Sequence, residues 1–95
     1  MRKITIESVT AFENSYEFNK QNMSVCVDGR ETLLKLHGNT IAKKSGGKLF
    51  ITNCGWETTT TKERLNALNG VSISQKNFIW YLNGKEWNGD WIEIN

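Results

Sequence analysis

The sequence predicts an α+β single domain, a twisted antiparallel sheet of about six to seven strands carrying one short helix in the order β-β-β-β-α-β-β-β. Three observations point there. Apolar and polar residues alternate in short runs such as KITIESV and SVCVD, the period of a half-buried strand. Turn-forming residues at Asp28-Gly29, Gly38-Asn39, Gly46-Gly47, Asn83-Gly84 and Asn88-Gly89 cut the chain into strand-length pieces. One segment, TTTTKERLNALNG, carries helix punctuation.

In chain order, residues 3–9 place Ile4 and Ile6 against polar neighbours and predict a first strand. Residues 10–23 hold Phe12, Tyr16 and Phe18 without a steady period and are expected as an irregular arm or loop. Residues 24–28 and 31–37 flank Asp28-Gly29-Arg30, a hairpin signal because Gly accepts the positive φ of tight turns. A turn or bulge at Gly38 and a hairpin through Ser45-Gly46-Gly47 lead into Leu49, Phe50 and Ile51. In the helix, Thr60 stands three residues before Glu63, the spacing of a capping box. Leu65 and Leu68 make its apolar stripe beside Ala67, and Gly70 is expected at C′. In the tail, Val71 and Ile73 alternate with serines, and Phe78, Trp80 and Leu82 are expected on an inner face with Tyr81 pointing outward. Asn83-Gly84 predicts a type I′ hairpin into Glu86 and Trp87, and Asn88-Gly89 a further turn before Trp91, Ile92 and Ile94.

Ninety-five residues with ten aromatics, four of them Trp, suffice for one small core. Proline is absent and no linker or repeat is visible, so residues 1–95 are expected to form one unit. No apolar run approaches the roughly 18 residues of a membrane span, and the start MRKITIESVT turns polar too early for a signal peptide. A soluble protein without membrane attachment is expected.

The net charge of +2 is far from that of a chain that coats nucleic acid, but its distribution is uneven. From Arg30 to Lys85 nine basic residues stand against three acidic ones, while residues 1–29 sum to −1 and residues 86–95 to −3. Interspersed surface lysines on any solvated sheet give the same count. Cys26 and Cys54 lie 28 positions apart with one histidine in the chain, which offers no adjacent metal ligands. Both are expected to pack as small hydrophobes, and neither a metal nor another cofactor is expected. A nucleophile elbow, a metalloprotease helix, a phosphate loop and a dinucleotide fingerprint are all missing from the sequence. His37 beside Gly38 reads as a turn residue rather than a general base. A non-enzymatic binding protein is the expectation.

For nucleic acid the candidate contacts are Lys43, Lys44 and Lys48 around the Gly46-Gly47 hairpin, with Lys62 and Arg64 in the first turns of the helix. Cations and free backbone amides both favour phosphate at such places. Trp56 and Tyr81 are the candidate aromatic contacts, and exposed rings suit unstacked bases, so RNA is favoured over DNA. The same rings and an open sheet edge also suit a protein partner or a second copy of the chain. The nucleic-acid reading requires the cations to converge on one side of the molecule.

The segments HGNTIA at 37–42, GW at 55–56, TTKERLNAL at 60–68, VSISQK at 71–76 and WYLNGKEW at 80–87 resemble a family of small tailed-bacteriophage proteins over about residues 34–92. The resemblance implies an early accessory protein acting in the host bacterial cytoplasm, one that modulates host machinery or counters a host defence system, for example as a toxin inhibitor. It carries over no catalytic or ligand residues.

Overall fold

Residues 2–94 are described by the structure, a computed structural model. The first element is a helix, α1 (Lys3–Glu13), where alternation predicted a strand over 3–9. In a strand Ile4 and Ile6 would share one face. Here Ile4 is buried and Ile6 is 53% exposed, because the buried set Ile4, Thr5, Ser8, Val9, Ala11 and Phe12 follows the helical period instead. The residues expected as an arm are divided: 10–13 complete α1, and β1 (Phe18–Lys20) opens the sheet.

Four further strands follow as a meander: β2 (Met23–Asp28), β3 (Glu31–Leu36), β4 (Asn39–Ser45) and β5 (Lys48–Ile51). Their connections are two-residue loops, and His37-Gly38 and Gly46-Gly47 have positive φ at both positions, the conformation that matches strand twist. One extra residue, Ile41, bulges β4 against β3 between the Leu34↔Ala42 and Lys35↔Thr40 pairs. The last strand, β9 (Ile92–Ile94), pairs with β5, which gives the six-stranded order β1-β2-β3-β4-β5-β9.

The second helix, α2 (Thr59–Asn66), has its cap two residues before the expected Thr60. Thr58 is the N-cap, its hydroxyl accepting from the Thr61 amide at 3.1 Å. The capping box between Thr60 and Glu63 is therefore corrected: the Glu63 carboxylate accepts from the Arg2 amide and the Thr5 hydroxyl, tying α2 to α1. Gly70, expected at C′, lies beyond the C-cap Ala67 in the following turn. A separate three-stranded sheet, β6 (Ile73–Lys76), β7 (Ile79–Leu82) and β8 (Lys85–Glu86), then packs beside α2. The Asn83-Gly84 turn has both residues at positive φ, as predicted. Phe78 is corrected: it occupies the β6–β7 turn at φ 67 and is 92% exposed, so alternation breaks there and only Trp80 and Leu82 reach the inner face.

The fold is thus α+β, with two helices and nine strands among the described residues. The core lies between the helices and one face of the six-stranded sheet, where Phe12, Met23, Val25, Leu34, Ile41, Ile51 and Leu65 are each 1% exposed or less. No helix among the described residues is long and apolar enough to cross a membrane.

Candidate functional site

The helices cover one face of the large sheet and leave the other open. Strand pairing fixes what lies on it, because residues directly opposite one another point to the same side. One row across the open face runs Cys26, Leu33, Lys43, Phe50 and Glu93. Flanking rows are Ser24, Lys35 and Thr40 on one side and Asp28, Glu31, Ser45 and Lys48 on the other. Cys26, Leu33 and Phe50 remain half-buried in the middle, and Trp91, just before β9, is 49% exposed beside them. The Lys43 ammonium stands 5.4 Å from the Phe50 ring centre and 5.3 Å from that of Trp91. Cation–π attraction of this kind holds a cation over an apolar surface instead of releasing it to solvent.

The five candidate cations do not converge. Lys43 and Lys48 share the open face, but Lys44 projects to the opposite side, over the Phe12 ring, and donates to the Glu13 carbonyl at 2.8 Å. Lys62 turns toward the small sheet, donating to Gln75 at 3.0 Å and lying over Trp80. Arg64 is corrected outright. It is 1% exposed, donates to the Thr5 hydroxyl at 2.7 Å and is ion-paired with Glu63, so no polyanion reaches it. Burial lowers the Arg64 pKa against the opposing effect of Glu63. For Glu63, burial acts upward, but hydrogen bonds from Arg2 and Thr5 and the Arg64 charge outweigh it and hold the carboxyl below its usual range.

Trp56 is 57% exposed, and Tyr81 is half-buried opposite Ser74 and Glu86 in the small sheet. Sequence reasoning missed Leu33, Phe50 and Trp91 as a surface group: the Gly46-Gly47 loop aligns Lys43 with Phe50, but only the bulge at Ile41 brings Leu33 opposite Lys43. It also missed Phe78, whose signal was the Asn77 before it, a residue that tolerates left-handed turns. Cys54, expected in the core, is exposed in a turn at φ 57, and Cys26 is half-buried; both are free thiols. Among the described residues no group of His, Cys, Asp or Glu is arranged to hold a metal ion.

A cavity of about 260 Å³ opens between the β3–β4 hairpin and the start of α2. Leu36 and Ile41 form its apolar floor, and His37, Asn39, Trp56, Thr58, Thr60 and Thr61 its walls.

Comparison with known proteins gives one family. The family model described as Kyanoviridae Gp96 protein matches residues 1–94. None of the curated proteins and none of the solved structures gives a significant match.

Proposed function

The chain belongs to the Kyanoviridae Gp96 protein family, a phage protein family, and from that premise we propose that it is a non-enzymatic binding protein that engages a host protein through the open face of its large sheet. The observation that carries this reading is Lys43 held between Phe50 and Trp91 at the centre of a face that no helix covers. Exposed aromatic rings such as Trp91 are among the residues that anchor protein interfaces, and Lys43 beside them supplies a charge that selects the partner. The charges around them are balanced, Lys35, Lys43 and Lys48 against Asp28, Glu31 and Glu93. Balanced charge suits a folded partner with a carboxylate set among apolar side chains and gives a polyanion little net attraction. The separation of Lys44, Lys62 and Arg64 from this face argues the same way. We place its action in the host cytoplasm during infection, where such a protein would modulate host machinery or counter a defence.

The test is recovery of partners from infected cells on immobilised wild-type protein and on a Lys43→Glu, Trp91→Ala variant, with and without nuclease and high salt. The expected result is one protein retained by the wild type in high salt after nuclease and lost by the variant. Recovery of RNA that high salt releases would replace the protein reading with the nucleic-acid one. Retention of the same protein by the variant would remove the open face from the proposal.

A further inference from the structure

We propose that the chain pairs with a second copy of itself by exchanging Phe78 into the cavity beside Trp56, around a two-fold axis at the N-terminal end of α2. This goes beyond the open-face reading and uses a different surface. Phe78 is the most exposed large apolar residue described, at 92%, and sits at φ 67 behind Asn77 at φ 53. That left-handed turn favours Gly or Asn, so local structure gives no reason for a phenyl ring there. The ring finds no cover within its own chain.

The cavity offers that cover. At about 260 Å³ it lies just below the roughly 300 Å³ at which small-molecule pockets begin, a size for a single side chain. Its floor, Leu36 and Ile41, is buried and apolar, and Trp56 stands exposed at its mouth.

Knob and cavity also lie at the same end of the molecule. The Asn66 amide bonds both ways with the Ile73 main chain, at 3.1 and 2.6 Å, and Lys62 bonds Gln75 at 3.0 Å, so β6 runs back along α2. Two residues beyond Gln75 and one turn before Lys62 each advance about 6 Å, which brings the Asn77-Phe78 tip level with Thr58 at the cavity wall. A protrusion and a recess level with one another at the same end are what a two-fold contact needs if each copy is to give and receive. Charge agrees: exposed Lys76 flanks the knob, and exposed Glu57 lies between the cavity residues Trp56 and Thr58.

Sedimentation equilibrium from micromolar to millimolar protein tests this. The wild type is expected as a reversible dimer. Phe78→Gly, which suits the turn, is expected to raise the dissociation constant roughly thirtyfold or more, the effect of removing a buried aromatic anchor, while leaving the thermal stability of the dilute, monomeric chain equal or higher. Trp56→Ala is expected to act likewise, and Ile6→Ser, on exposed α1 surface, to leave the dimer intact. A wild type that stays monomeric overturns the proposal and leaves this end to a foreign partner. A dimer indifferent to Phe78→Gly, or a higher polymer in place of a dimer, overturns the two-fold exchange.

Discussion

The Arg64 guanidinium donates to the Thr5 hydroxyl at 2.7 Å across 59 positions of sequence, and the same hydroxyl donates to Glu63 at 2.8 Å. Thr5 is fully buried, so this relay is the polar joint between α1 and α2. Thr5→Val keeps the shape and removes the joint, leaving two charged groups each one hydrogen bond short. The denaturant midpoint should fall by an equivalent of about 1–3 kcal/mol. Arg64→Ala, which removes the ion-pair partner of Glu63 and opens a cavity where a side chain 1% exposed had packed, should cost about 2–5 kcal/mol. The double variant should cost clearly less than the sum, as groups in one network do.

Acid should weaken the same joint. The Glu63 pKa is lowered in the fold from 4.5, so the folded state holds the proton less tightly than the unfolded chain. The stabilisation is therefore complete above about pH 4.5 and is lost as pH falls through the depressed folded value. Denaturant midpoints of wild type and Glu63→Gln, measured from neutral pH downward, should converge over that range. A constant gap would exclude Glu63 from the acid response.

At Gly89 the chain has both a positive φ of 92° and no room. A Cβ there would collide with the Asn53 side chain, and the Gly89 carbonyl accepts from the Thr52 hydroxyl at 2.6 Å and the Asn53 amide at 3.0 Å. Gly89→Ala should destabilise by about 2–4 kcal/mol. Gly84→Ala, at φ 87 with open space around it, carries backbone strain alone and should cost about 1 kcal/mol. Thermal melts of the two variants separate strain from collision.

The start of α2 gives a paired test. Thr58→Ala removes the hydroxyl that accepts from the Thr61 amide and should cost about 1 kcal/mol. Thr60→Ala removes no cap and should stay within about 0.5 kcal/mol of wild type. Urea midpoints in which Thr60→Ala is the more damaging would return the cap to Thr60.

The turns at Gly38, Gly46-Gly47 and Asn83-Gly84 were legible in the sequence because their requirement is local, whereas the one at Asn77-Phe78 was not. His37-Gly38, Gly46-Gly47 and Asn83-Gly84 need left-handed backbone, and the residues that tolerate it are few. The hairpins and the α+β class follow from those positions, and the existence of α2 from the spacing of Leu65 and Leu68. The identity of α1 did not follow. Its first residues suit a strand by type, and what decides for a helix is the sheet face that buries Val9 and Phe12 and the α2 charges that meet Thr5. The cationic surface was likewise undecided by sequence. The bulge at Ile41 shifts the alternation of β4 by one, turning Lys43 to the open face and Lys44 to the covered one. Which lysine meets a partner is therefore set by the bulged pairing of β4 with β3, which the two-residue loop between them does not encode.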